Sequence, residues 1–240
     1  MFFENKILSI KETDRVLEIG PGSLPHPRSD VFLELQYDCD EEAQKQRGGL
    51  DKISLGKPVI YYDGGSFPFN DNEFDYVICS HVIEHVDNPD IFLNELKRIA
   101  PKGYLEYPII YYDFLYNYNC HKNFLLKNGD TIYWTGKEDV SFNKFYELNR
   151  FFYDLKHLNH FQEMENDLKE FLFEGFEWDR NKIFSQKTQA IKDVCLDYNQ
   201  INLPLKNLDI EAFPLNLFLK QFKRKPFKVI SNLFKGKIGL

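Results

Sequence analysis

The chain has 240 residues, 43 % of them apolar and 16 % aromatic, enough for one large domain with an appendage. Four widely spaced cysteines with no CxxC pair exclude a disulfide scaffold, and the absence of an 18-residue apolar run excludes a membrane span. The net charge of −7 is uneven: after Glu211 there is no acid, while Lys220, Lys223, Arg224, Lys225, Lys228, Lys235 and Lys237 contribute +7, so the body carries −14 and offers no broad nucleic-acid groove.

The first fifteen residues lack a basic start, a long apolar run and a small-residue cleavage site, so a cytoplasmic location is expected. Arg15 to Gly20 reads as a short buried strand that stops at Gly20-Pro21-Gly22. Val31 to Glu34 is a second strand. Between them, prolines at 21, 25 and 27 remove amide donors and forbid a full helix, so the link is a tight loop. The polar stretch 39–49 tolerates a helix. Pro58 to Asp63 is a third strand closed by Gly64-Gly65, and Phe74 to Ser80 a fourth.

Asn88-Pro89-Asp90 punctuates a helix start, and Ile91, Phe92, Leu96 and Ile99 recur at helical spacing until Pro101-Lys102-Gly103 breaks it. Gly103 to Pro108 is a fifth strand. Farther on, 129–136 reads as a strand, 160–173 as an amphipathic helix and 175–185 as a strand or hairpin, expected to complete the sheet and build a lid or substrate wall.

Short apolar strands alternating with glycine turns and helices predict a parallel α/β sheet, which binds ligands at the carboxyl ends of its strands. Four of the five ends carry an acid, through Glu18, Glu34, Asp63 and Glu106. That many acids at buried strand ends calls for a cationic or hydroxyl-rich ligand. Glu34 suits a pair of ribose hydroxyls, Asp63 an exocyclic adenine amine, and glycines at 20 and 22 permit close backbone approach.

The segments VLEIGPG (16–22), VFLE (31–34), the block from Asp63 to Ile99 containing FDYVICSHVIEHVDNP, and GYLEYP (103–108) together resemble the class I S-adenosylmethionine-dependent methyltransferases. The resemblance covers roughly residues 10–108. It implies a Rossmann-like, mostly parallel sheet with helices on both faces, here with the first inter-strand helix lost or shortened and a variable α+β second half. It implies that Glu18, Gly20 and Gly22 lie beside the methionine part of S-adenosyl-L-methionine and that Glu34 holds the ribose. Asp63 and Gly64 would hold the adenine edge, Phe67 would flank the ring, and Ser80 and His81 would border the sulfonium. PHPRSDVFLE and His121-Lys122 resemble, more loosely, bacterial members found among surface-glycan biosynthesis genes.

The expected organisation is a methyltransferase domain over 1–211, with a cofactor half (10–108) and a substrate or lid half (109–211), then a basic amphipathic tail (212–240). The expected reaction is methyl transfer to an O or N acceptor, foremost a sugar or glycan-precursor hydroxyl, with a small metabolite as the alternative. His81 is the first candidate base, followed by His121, Tyr112 and Asp113. Residues 215–240 interleave Leu, Phe and Ile with Lys, a pattern suited to an anionic membrane surface on the inner face; no nucleic-acid partner and no metal are expected.

Two readings of another class stand beside this one. His81-Val82-Ile83-Glu84-His85 has the spacing of an inverted zinc-peptidase motif, with His157 or His160 as a third ligand, provided 81–85 is helical. Strand character up to Ser80 and helix punctuation only at Asn88 argue against it. The other reading is a non-catalytic protein that binds the cofactor.

Overall fold

The computed structural model describes residues 1–22, 24–37, 39, 56–140 and 146–188. The chain falls into two units, Met1–Asp197 and Tyr198–Leu240, and the described residues belong to the first. The polar stretch at 40–49 and the basic tail lie outside them.

Six strands form the main sheet: β1 (Val16–Ile19), β2 (Val31–Leu35), β3 (Val59–Tyr62), β4 (Tyr76–Ser80), β5 (Lys102–Pro108) and β8 (Phe173–Asp179). Their order is β3-β2-β1-β4-β5-β8. All neighbours are parallel except β8, which runs antiparallel to β5. The central β1 is buried along its whole length, as a near-continuous apolar run covered on both faces must be. The edge strand β3 is half-exposed.

Helix α1 (Pro89–Ile99) starts where the sequence punctuates it: the Asn88 side chain accepts from the Asp90 and Ile91 amides, with Pro89 in the first turn. It buries Phe92, Leu93, Leu96 and Ile99. Arg98 near its end donates to the carbonyls of Phe67 and Phe69, and Glu95 accepts from the Phe67 amide at 2.7 Å, so the loop after β3 is fastened to this helix.

Among the described residues no helix intervenes between β1 and β2, in keeping with the three prolines. Side chains hold that loop instead. Ser29 Oγ and the His26 amide both donate to Glu18 Oε2, at 2.6 and 2.9 Å. Lys57 Nζ donates to the carbonyls of Pro27 and Ser29, and the Arg28 guanidinium reaches the carbonyls of Lys11, Glu12 and Asp14.

The second half departs from the sequence reading in three places. Tyr112 and Asp113, which follow the predicted fifth strand with no helix foreseen there, lie in α2 (Ile110–Tyr116). The predicted helix 160–173 is interrupted: α4 (Asn159–Asp167) follows α3 (Tyr146–Leu155), and a single turn α5 (Lys169–Leu172) leads directly into β8. The stretch 175–185 is no hairpin. β8 completes the main sheet, whereas β9 (Phe184–Lys187) lies parallel to β7 (Thr131–Gly136) in a second sheet, whose other strand is β6 (Asn123–Asn128). The hairpin is β6–β7, turned at Gly129-Asp130 with Gly129 at a φ of +58°. Among the described residues no helix is long and apolar enough to cross a membrane.

Candidate functional site

The strand order reverses between β1 and β4, which opens a crevice at the carboxyl ends of the parallel strands. The predicted residues gather along that edge. Gly20 and Gly22 turn the chain after β1 with φ of +61° and +58°, a backbone that favours glycine. A Cβ on Gly20 would lie 2.6 Å from Val82 Cγ2, whereas a Cβ on Gly22 would meet nothing within 4 Å. The first glycine is a packing requirement and the second faces open space.

Glu34 sits near the end of β2, in register with Tyr61 of β3, and is partly buried. Asp63 follows β3 and is exposed. Its Oδ1 caps the amide of Gly65 at 3.0 Å, with Gly64 between them at a φ of +93°. Phe67 differs from its expected place. Its ring is only 4 % exposed and packs edge-on against Tyr62 and Phe92, so it is the floor beneath the loop. Glu18 is also buried and committed to the loop. Burial raises its carboxyl to about 7 against the opposing hydrogen bonds from Ser29 and His26.

Ser80, His81 and Glu106 form the centre of the edge. Ser80 Oγ donates to Glu106 Oε1 at 2.9 Å, and His81 Nε2 lies 3.0 Å from the same oxygen. His81 Nδ1 is 3.4 Å from Glu84 Oε1. These imidazole contacts have ion-pair distances, and neither Nε2 nor the Glu84 oxygens have aligned hydrogen bonds. Burial alone would lower the His81 pKa, but the contacts with Glu106 and Glu84 outweigh it and raise it to about 9. Burial likewise opposes the charge on Glu106, yet His81, Tyr104 and the Phe2 amide bring it down to about 2. Both ring nitrogens thus face carboxylates that favour the charged form, an arrangement that disfavours the expected role as base. The rings of Phe2 and Phe173 stand edge-on to it at 5.4 and 5.5 Å.

A second group lies beside the first. The amides of Lys122 and Asn123 donate to the Glu84 carbonyl, and Asn123 Nδ2 donates to the Val86 carbonyl, clamping 120–123 onto the turn after β4. This places His121 next to His85, ring centroids 4.8 Å apart. His121 Nδ1 pairs with Asp113 Oδ1 at 2.8 Å, and Lys137 Nζ reaches the same oxygen at 2.9 Å. His85 Nδ1 pairs with the Cys120 carbonyl at 2.9 Å.

The inverted zinc motif does not form. Residues 81–87 are bends and a turn rather than helix, His81 has a left-handed φ of +57°, and both its nitrogens face carboxylates. His160 is exposed near Glu163, and His157 packs edge-on to Tyr153. A cavity of about 390 Å³ lined by Lys102, Lys127, Phe176 and Trp178 lies at the amino end of β5, away from the strand ends that carry these groups.

Sequence reasoning singled out Glu84 and His85 only as parts of a zinc motif and missed Cys120 and Phe2. The acid at the end of β5 was the legible signal for Glu106. Cys120 depends on a long-range backbone clamp, and Phe2 on Glu106, which no local pattern announces.

Residues 35–106 match the family described as "Methyltransferase domain". The chain is 27 % identical over 114 residues to an uncharacterized methyltransferase of Schizosaccharomyces pombe, an alignment covering 40 % of each chain. It is 60 % identical over 35 residues to a ubiquinone biosynthesis O-methyltransferase of Rickettsia bellii, covering 14 % of this chain and 15 % of that one. It thus spans less than half the length of either relative. Among solved structures, a Thermotoga maritima protein titled a S-adenosylmethionine-dependent methyltransferase, possible histamine N-methyltransferase, is 25 % identical over 44 % of this chain and 49 % of that chain, with a TM-score of 0.30.

Proposed function

We propose that this chain, which carries a class I S-adenosylmethionine-dependent methyltransferase domain, moves a methyl group from that cofactor to an oxygen or nitrogen acceptor. The observation that carries the reading is the set formed by the Gly20–Gly22 turn, Glu34 and Asp63, at the carboxyl ends of three adjacent parallel strands. The residues fit such a cofactor. The open face of Gly22 admits a close ligand, and two acids one strand apart suit ribose hydroxyls and an adenine amine. The link after β1 has no helix to offer a pyrophosphate, which disfavours a dinucleotide.

When bound, the sulfonium supplies an already activated methyl group, so the protein contributes mainly position and exclusion of water. Glu34 and Asp63 would orient the nucleoside, with Gly20, Gly22, Gly64 and Ser80 lining its path and Glu18 holding the loop closed. His81, facing Glu106 and Glu84, would border the reacting centre, with Phe2 and Phe173 keeping water from it. A hydroxyl acceptor has to lose a proton. His121 would suit this while its Nε2 binds nothing else, since Asp113 takes the Nδ1 hydrogen and leaves the lone pair on Nε2.

For the acceptor, we read a sugar or glycan-precursor hydroxyl. Supporting this are Tyr118, whose ring lies 5.2 Å from that of His121, and the looser sequence resemblance. The seven cations interleaved with apolar residues in 215–240 favour an anionic membrane surface as the place where that acceptor is met.

Calorimetry with S-adenosylhomocysteine tests the core of the reading. The native chain should bind it, and Glu34→Ala and Asp63→Ala should each weaken binding by about 10–100-fold, the loss of hydrogen bonds to a charged group. No binding by the native chain would sink it.

A further inference from the structure

His85, Cys120 and His121 differ in kind from the acids at the strand ends. One nitrogen of each ring and the thiol sulfur all lie within 4.8 Å of one another. Both rings are oriented through Nδ1, His85 by the Cys120 carbonyl at 2.9 Å and His121 by the Asp113 carboxylate at 2.8 Å. With its Nδ1 hydrogen donated, each imidazole keeps its lone pair on Nε2. Metal-binding histidines are held in this way, by a carbonyl or a carboxylate behind the ring.

We infer that His85, Cys120 and His121 bind a divalent first-row ion of the zinc class. A thiolate with two imidazoles is a donor set that suits zinc and disfavours magnesium or calcium. Zinc bond lengths put ligand atoms about 3.3–3.6 Å apart around a tetrahedron. A spacing of 4.8 Å must therefore close by about 1.2–1.5 Å, through small side-chain shifts of three partly exposed residues. The backbone is already fixed for it, since the Lys122 and Asn123 amides tie one ligand segment to the Glu84 carbonyl of the other.

An independent observation points to a cation here. Glu84 is fully buried and neither of its carboxylate oxygens has a hydrogen-bond partner, while Oε1 stands 3.8 Å from His85 Nε2 and 3.4 Å from His81 Nδ1. His81 is shared with Glu106, which the Met1 ammonium also reaches at 3.9 Å. Asp113 is also fully buried and keeps Oδ2 without a partner, although Lys137 and His121 serve Oδ1. Buried carboxylates left in this condition are costly unless positive charge is near. An ion on His85 and His121 would stand near both, since Glu84 Oε1 is 3.8 Å from His85 Nε2 and Asp113 Oδ1 is 2.8 Å from His121 Nδ1. Three protein ligands leave the fourth tetrahedral position to water or to an acceptor oxygen. That use of the ion rests on the methyltransferase reading; its binding does not.

The test is metal content and spectroscopy of the full chain. After exposure to zinc sulfate and dialysis, the native protein should retain about one zinc, as expected of one such site. Cobalt(II) alone should give a thiolate-to-cobalt absorption that disappears in Cys120→Ser and persists in Cys39→Ser. His85→Gln and His121→Gln should lower zinc affinity about 10–100-fold or more, since ligand loss costs at least as much as loss of a supporting partner. Zinc should also protect Cys120 of the native chain from iodoacetamide, a readout that needs no variant. Failure of the native chain to retain zinc, equal labelling with and without zinc, or zinc unchanged in Cys120→Ser would each overturn the inference. Calorimetry with S-adenosylhomocysteine separates the two claims. Binding of S-adenosylhomocysteine without zinc retention removes only the ion site. Zinc retention without that binding removes the methyltransferase reading and leaves the ion site standing.

Discussion

Glu106 grips His81 twice: its carbonyl accepts from the His81 amide at 2.8 Å, and its Oε1 lies 3.0 Å from His81 Nε2. The first contact continues the β4–β5 ladder past Ser80, and the second favours the charged form of the imidazole. The same carboxylate accepts from Ser80 Oγ, Tyr104 Oη and the amides of Phe2 and Phe3. Glu106→Gln should cost about 3 kcal/mol, because it strips one partner from a buried ion pair and forces an amide among donors. Urea unfolding at pH 7 measures this. A loss close to zero would mean that the hub is not a stability centre.

The pH dependence of stability follows from the same contacts, in two windows. Glu18 has its folded pKa raised from 4.5 to about 7 by burial. Between those values the folded state holds more protons than the unfolded, so stability falls as pH rises. His81 is raised from 6.5 to about 9; its contribution is complete below 6.5 and is lost as pH climbs through 9. These two groups therefore pull thermal midpoints down from pH 4.5 to 9, against the opposite pull of His26 and His85, whose values burial lowers. Glu18→Gln should flatten the lower part of the decline and His81→Gln the upper part. An unchanged upper slope in His81→Gln would show that the two carboxylates do not favour the charged imidazole.

Glu106 acts at the opposite end. Its folded value near 2 lies below the ordinary 4.5, so its contribution is present above 4.5 and disappears as pH falls toward 2. The acid limb of stability should shrink in Glu106→Gln relative to the native chain, read by fluorescence during acid titration.

The glycines after β1 should separate packing from ligand contact. Gly20→Ala combines a left-handed φ with a Cβ 2.6 Å from Val82 Cγ2 and should destabilise by about 1–3 kcal/mol. Gly22→Ala has the same backbone strain and no clash, so it should cost about 1 kcal/mol. If the open face of Gly22 receives the cofactor, S-adenosylhomocysteine binding in Gly22→Ala should fall by more than its stability loss accounts for. Unchanged calorimetric affinity in that variant would place the ligand elsewhere.

The second sheet is joined to α1 by a partly buried contact, Trp134 Nε1 donating to Asp90 Oδ1 at 2.8 Å. Trp134→Phe keeps most of the apolar area and deletes the donor, and should cost about 1 kcal/mol. A change well above that in denaturant unfolding would show that packing of the ring carries the junction.

The first half of the fold was legible because its signals are local. Val16–Ile19 and Tyr76–Ser80 are dominated by apolar side chains, Asn88-Pro89 marks a helix start, and Pro21, Pro25 and Pro27 forbid a helix in the link. The second half was less legible because its elements change partner without changing pattern. Phe173 to Asp179 and Phe184 to Lys187 both read as extended chain, and nothing in them says that they join different sheets. Tyr112 and Asp113 have modest helix propensity, and the helix that contains them is held by ring packing of Tyr112 on Tyr116 and Phe173.

The sequence by itself determined the order of the parallel strands' glycine turns and the acids at their ends, since steric freedom and charge are carried by single residues. It could not determine which atoms those acids face. Only the tertiary structure set His81 between two carboxylates, Glu84 and Glu106, from two different parts of the sheet edge. Only the clamp of Lys122 and Asn123 onto Glu84 brought His121 and Cys120 to His85 from a distant part of the chain. A five-residue motif that looked like one metal site was divided by the fold, with His81 going to the carboxylates and His85 to a new set of neighbours. The physical reason is that protonation and ligation depend on burial and distance between segments, which local periodicity does not encode.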